Sequence, residues 1–195
     1  MKFYESGDSS KPVIFLFPGT CCLYSSFDHI LDRLHSYFYT VTVSYDGFDP
    51  NEKTEFYSME DECEKIEQEI KKKYDGRIKA AYGCSLGGSF VSLLIQRKRI
   101  HIDHGIIGSS DMDEAGQFMA KIQSSVVVPI MYKMVHTGAL PKFMQKKLNK
   151  TDEVKKELYN GFLNMFGIGK GGCPWITKQS IYNQFYSDLV TKVQH

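Results

Sequence analysis

Residues 78–94 read IKAAYGCSLGGSFVSLL. A short, largely apolar run, Ile78–Tyr82, leads directly into Gly83-Cys84-Ser85-Leu86-Gly87-Gly88, and Phe90, Val91, Leu93, Leu94 and Ile95 then fall at helical spacing. The pattern predicts a strand, a sharp turn and a helix. A serine hydroxyl is a weak nucleophile, so a fold that uses one must expose its Oγ at the end of a strand, among backbone N–H groups at a helix N-terminus. Glycines two before and two after the serine permit that turn, because a Cβ at either place would meet the neighbouring strand or helix. A bare G-x-S-x-G says little. The strand before it and the helix after it make it a candidate nucleophile elbow.

Outward from the elbow, toward the N-terminus, strands and helices alternate. Met1–Glu5 suits a short edge strand. Pro12–Phe17 is a continuous apolar run of the kind buried on both faces, and it ends in Pro18-Gly19-Thr20-Cys21-Cys22. Residues 25–37 place Phe27, Ile30, Leu31 and Leu34 on one helical stripe, with Ser25 or Ser26 as its cap. Tyr39–Tyr45 is rich in β-branched residues and reads as the next strand. Ser58-Met59-Glu60-Asp61 resembles a capping box opening a helix to about Lys73, with Cys63, Ile66 and Ile70 as its buried edge and Lys71–Lys73 solvated at its C-terminus. Beyond the elbow, Ile102–Ile107 is a further apolar strand. Strands separated by helical patterns imply an α/β fold with a mostly parallel sheet and flanking helices.

From Met112 the pattern is helical, over 113–137, 140–149, 151–166 and 177–193, with breaks at Gly138, Pro141, Gly167–Gly172 and Pro174. This divides the chain into an α/β core at 1–111, a helical cap at 112–176, and a helix at 177–195 that returns to the core. The cap is rich in Met and aromatic residues, among them Phe118, Met131, Met144 and Phe166, which suit an acyl pocket as well as ordinary helix packing. Gly167–Gly172 matches G-x-G-x-x-G but follows a helix and precedes Cys173-Pro174, so the dinucleotide reading fails and a hinge between helices is expected.

The composition excludes several classes. The chain has 195 residues, 42% of them hydrophobic and 24% charged, as in a globular domain with a sizeable core. A net charge of +1 gives no electrostatic basis for binding nucleic acid or an anionic membrane. The five cysteines lack framework spacing and form no C-x-x-C or His/Cys cluster, so reduced thiols, no metal and no cofactor are expected. No apolar run approaches membrane-spanning length, and the N-terminus lacks a leader's apolar core, so a cytoplasmic location is expected.

Together FLFPGT, VTVSYDG, YGCSLGG and GIIGSSD, followed by a helical block, resemble the α/β-hydrolase superfamily, in particular its small bacterial serine hydrolases of the esterase type. The resemblance implies that Ser85 is the nucleophile. It implies that the N–H groups of Leu86 and of Thr20 form the oxyanion hole, and that Pro18-Gly19 stands where the family usually has His-Gly. Family members continue with two more strand–helix units that supply an acid and then a histidine, so about 60 residues are absent by that comparison. A C-terminally truncated α/β-hydrolase fold is therefore expected.

The remaining catalytic candidates follow from chain order within that resemblance. Asp111 comes directly after a strand, where some family members carry their acid; the competing role is a helix N-cap. His136, after Ser85 and Asp111, is the candidate base. His29 and His35 suit a solvated helix face, His101 and His104 lie at the sheet edge opposite the elbow, and His195 points toward the bottom of the sheet.

Two functions remain open. One is a serine hydrolase cleaving a small carboxylic ester or thioester through an acyl-Ser85 intermediate. The other is a non-catalytic relative that binds a small apolar ligand or a partner. Ser85 is expected to face a pocket roofed by residues after Asp111. The 102–107 strand has an interior composition, and as a bare edge it would favour self-association.

Overall fold

In the computed structural model, which describes residues 1–110, 114–167 and 171–192, five strands form one sheet. They are β1 (Lys2–Ser6), β2 (Val13–Phe17), β3 (Tyr39–Ser44), β4 (Arg77–Cys84) and β5 (His101–Gly108), in the order β1-β3-β2-β4-β5. Only β1 is antiparallel to its neighbour. The crossovers are a 3₁₀ turn (Tyr24–Phe27) with α1 (Asp28–Leu34), then α2 (Met59–Lys73) and α3 (Leu86–Arg97). Four more helices follow: α4 (Gln117–Thr137), α5 (Lys142–Leu148), α6 (Glu153–Asn164) and α7 (Lys178–Val190). Among the described residues no helix is long and apolar enough to cross a membrane.

The unbroken apolar run of β2 is explained by its two faces. Phe15 and Phe17 enter the large core against α2 and α3, while Ile14 and Leu16 pack with Phe27 and Ala80 on the other face, against Ile30, Leu31 and Leu34. A strand covered on both sides has no place for a polar residue. α2 buries Cys63, Ile66 and Ile70, and its N-cap Ser58 accepts the Asp61 N–H at 3.1 Å. Lys73, in its last turn, pairs with Glu5 and Glu69.

The first helix differs from the sequence expectation. Ser25 and Ser26 lie inside the 3₁₀ turn, α1 starts at Asp28 with Phe27 at its N-cap position and no side-chain cap, and it ends at Leu34. Ser26 is taken up and buried within the 3₁₀ turn, so it does not occupy the N-cap position of α1.

α7 lies against α4 and α2 and is fastened by polar contacts. The Thr177 hydroxyl accepts the Ser180 N–H at 3.0 Å, Ser180 Oγ accepts the Phe56 N–H at 3.3 Å, and Asn183 Nδ2 donates to the Phe56 carbonyl at 2.8 Å. Gly172 and Cys173 pass close against the end of α4. A Cβ on Gly172 would collide with the backbone of Gly138 and His136, and the Cys173 N–H donates to Val135 O at 2.7 Å. Residues 168–170 of the G-x-G-x-x-G match lie outside the described residues.

Candidate active site

Ser85 stands between the last residue of β4 and the first of α3, with φ 53° and ψ −122°. That conformation is disfavoured for any residue with a Cβ, costs of order 1–3 kcal/mol, and persists only where the surroundings impose it. Here they do. The Ser85 N–H donates to Gly108 O at 2.7 Å, extending the β4–β5 ladder one residue beyond β4, and the Ser85 carbonyl accepts the Gly88 N–H at 2.7 Å to start the helix. The side chain is left exposed rather than enclosed in a roofed pocket.

The flanking glycines are required by close approach. A Cβ on Gly83 would overlap the backbone of Gly87, and one on Gly87 would overlap the backbone of Phe17. At Gly88 it would meet Ser110 Cβ at 2.7 Å and Ile107 Cγ2 at 2.9 Å. The register Phe17↔Gly83 brings the end of β2, and so the loop Pro18–Cys22, beside the turn. A Cβ on Gly19 would lie 3.5 Å from Ser85 Cβ and 3.6 Å from Cys22 Sγ.

That loop is tied at three points. The Tyr45 hydroxyl donates to Pro18 O at 3.1 Å, the Cys22 N–H donates to Gly19 O at 3.0 Å, and the Cys21 N–H donates to Gln184 Oε1 of α7 at 2.8 Å. Among the described residues the N–H groups of Thr20 and Leu86 have no protein acceptor. Leu86 begins α3, whose first turn carries no acidic side chain, so the positive end of the helix dipole is not neutralised beside Ser85. Two free N–H groups and a helix N-terminus next to a hydroxyl can stabilise negative charge developing on a substrate oxygen. Burial pushes the Cys22 thiol up to about 12 and the Cys21 thiol well above its ordinary value, so neither is a ready nucleophile.

No protein-family model and no curated protein matches the chain. Solved structures do. An α/β-hydrolase family protein from Desulfitobacterium hafniense superposes with a TM-score of 0.74 at 14% identity, over 97% of this chain and 72% of its own. A thermophilic esterase from Thermogutta terrifontis, malate bound, gives 0.70 at 13% over 96% and 66%. MenH from S. aureus gives 0.68 at 13% over 97% and 72%. The chain has the α/β-hydrolase fold. It spans between 66% and 75% of the length of these and similar α/β-hydrolase structures.

The other expected site residues are not joined to Ser85 by any hydrogen bond among the described residues. Asp111 lies outside the described residues, as does His195. Ser110, immediately before Asp111, has its hydroxyl 3.2 Å from that of Ser89 on α3, so the end of β5 is held beside the elbow helix. His136 is in the last turn of α4, its ring 5.0 Å from that of Tyr132 and its Nδ1 buried without a partner. Among the described residues no histidine is hydrogen-bonded to Ser85.

Of the apolar cap residues, Phe118 and Met119 are exposed and Met134 is buried. Met144 lines a cavity of about 150 Å³ with Leu140, Leu148, Tyr159 and Leu163. A larger cavity of about 660 Å³ opens between the 3₁₀ turn and α6, with Ser26, His29, Leu158 and Met165 among its walls. Asp46, Asp61 and Glu62 bring carboxylate oxygens within 4.8 Å of one another, as a cation site would. Lys65 Nζ already bonds all three, at 2.6, 2.5 and 2.9 Å, and takes the cation's place.

Sequence reasoning missed Tyr45 and Gln184, which hold the Pro18–Cys22 loop. Gln184 is 163 residues from Cys21, and no local pattern links them.

Proposed function

We propose that this chain is a serine hydrolase acting on a small carboxylic ester or thioester. The observation that carries the reading is the strained Ser85 turn, with the Gly19–Thr20 loop packed against it. Ser85 Oγ attacks the acyl carbon. The carbonyl oxygen takes the negative charge and accepts hydrogen bonds from the Thr20 and Leu86 N–H groups. The alcohol or thiol leaves with the proton from the serine, and water then hydrolyses the acyl-Ser85 ester to release the acid. Loss of one such donor typically lowers kcat by about 10²–10³.

Asp111 and His136 are assigned as acid and base by their order in the chain. The His136 ring lies beside that of Tyr132, tilted by 38°, and is not hydrogen-bonded to Ser85 among the described residues, so this assignment requires the two to come within hydrogen-bond reach. A second reading, a non-catalytic relative that binds a small apolar ligand or a partner, is favoured by one observation: no described histidine is hydrogen-bonded to Ser85. Hydrolase triads that lack a member keep only a residual rate, roughly a thousandfold or more above water.

The test is labelling of Ser85 by a fluorophosphonate probe and turnover of a short-chain p-nitrophenyl ester. Slow labelling abolished by Ser85→Ala is expected. Fast labelling that stops in His136→Ala makes His136 the base, and fast labelling that survives it moves the search to His29. Turnover unchanged by Ser85→Ala sinks the serine reading.

A further inference from the structure

Gln184 is completely buried on α7, yet its amide is only half used. Its partner is the backbone N–H of Cys21, which can only donate, so the amide oxygen must face the loop at 2.8 Å. That fixes the other end of the amide. Nε2 is left buried without an acceptor among the described residues, an expensive arrangement that an apolar side chain of the same size would avoid. The residue it holds is itself strained: Cys21 has φ 59°, a left-handed conformation that a residue with a Cβ adopts only under constraint. Thr20 immediately precedes it, and Gly19, before Thr20, packs against Ser85.

We infer that Gln184 is a positioning residue of the oxyanion site. By accepting the Cys21 N–H it keeps Cys21 in the left-handed turn, and that turn keeps the Thr20 N–H free and directed beside Ser85. The inference rests on the proposed serine-hydrolase reading and deepens it, since it ties the competence of the oxyanion loop to the docking of α7. The helix is well placed for the task. Ser180, one turn earlier on α7, and Asn183, the residue before Gln184, bind the backbone of Phe56, so α7 cannot slide without breaking those bonds.

The experiment compares the whole chain with Gln184→Met, which keeps the volume and removes the acceptor, and Gln184→Glu, which retains an oxygen toward Cys21. Ester turnover, fluorophosphonate labelling, melting temperature and amide hydrogen exchange at Thr20 and Cys21 are measured for each. Expected in Gln184→Met is a fall in kcat and labelling rate of about tenfold to a hundredfold with KM little changed, faster exchange at Cys21, and a melting temperature within a few degrees of the parent chain. Gln184→Glu should recover most of the rate.

Wild-type rates in Gln184→Met overturn the inference. So does a joint loss of rate and melting temperature that Gln184→Glu fails to restore, because that is the behaviour of a merely structural residue. If the parent chain labels too slowly to follow, exchange decides: faster exchange at Cys21 in Gln184→Met than in Gln184→Glu supports the inference, and equal exchange overturns it. Ser85→Ala separates the two failures. Turnover that survives Ser85→Ala removes the serine reading itself, whereas turnover lost in Ser85→Ala but intact in Gln184→Met removes only the role of Gln184.

Discussion

At the β1 edge of the sheet, Lys2 pairs with Glu52 at 2.9 Å, and Glu5 accepts hydrogen bonds from Lys73, Tyr74 and Tyr39. At the β5 edge, Ile106 and Ile107 are 47% and 42% exposed, beside Ile95 of α3 at 45%. Both strands are outermost, and both leave a row of backbone groups without a strand partner. β1 carries charge along its length, as finished edges do. β5 is polar only in its first half, where Asp103 binds Arg77 and Lys79. One flank is closed by side chains that prefer water, while the other has the composition of an interior strand. The Ser85 turn lies between them: Phe17 and Gly19 press on it from the β2 side, and Gly108, Ile107 and Ser110 from the β5 side.

The largest expected effect tests the β2 side of that turn. Gly87→Ala would push a methyl group into the Phe17 backbone, which cannot move without breaking the β2–β4 register. A loss of about 4 kcal/mol or more is expected, enough to leave a marginally stable domain largely unfolded by circular dichroism. A Cβ on Gly161 of α6 would meet nothing within 4 Å, so Gly161→Ala should instead stabilise by about 0.5–1 kcal/mol. Similar losses at both glycines would erase the contrast.

Next in size is association. We propose that the chain self-associates through β5, so that sedimentation at rising concentration shows a species heavier than the monomer. Ile106→Lys should restore the monomer, since an outward lysine is a common guard on strand edges. Lys2→Ile on β1 should have little effect, because Glu5 and its partners still cover that edge. A monodisperse monomer at high concentration would remove the difference between the flanks.

The smallest effect is a pH dependence on the closed flank. Burial first, and the nearby Asp46 second, push Glu62 up to about 7. Burial alone would also raise Asp46, but hydrogen bonds from Lys65 and the Met1 ammonium outweigh it and lower its pKa. A carboxyl raised on folding favours the native state while protonated. Its contribution is therefore full below its ordinary value of 4.5 and lost as pH climbs through about 7. Asp46 has the opposite sign and weakens the fold only as pH drops toward its lowered pKa. The melting temperature of the parent chain should fall relative to Glu62→Gln between about pH 5 and about pH 8. Parallel profiles would show that Glu62 keeps its ordinary pKa.

Much of this was legible in the sequence. Phe15 and Phe17 alternate with Ile14 and Leu16 in an unbroken run, and such a run fits a strand covered on both faces. The spacing of Gly83, Ser85 and Gly87 specified the turn, because each glycine answers a steric need within a few residues. The helical character of the second half was legible too, down to Val126–Pro129 inside α4. The start of α1 was not, since a serine before an apolar stripe caps a helix or enters a 3₁₀ turn according to what packs on it. The exposure of Ser85 was also hidden, because the placement of the helices after β5 depends on packing and not on period.

The order of residues alone therefore settles local matters: which segments are strands, where the chain must turn sharply, and which serine sits in that turn. Those features follow from steric rules acting over a few residues, and the two-face burial of β2 leaves its own trace in an unbroken apolar run. The surroundings of the turn came from tertiary packing. The approach of Gly19 to Ser85, the Tyr45 hydroxyl on Pro18 and the Gln184 amide on Cys21 each join segments distant in the chain. A hydrogen bond to one backbone N–H leaves no periodic signature in composition, so such contacts become visible only once α7 is docked on the core.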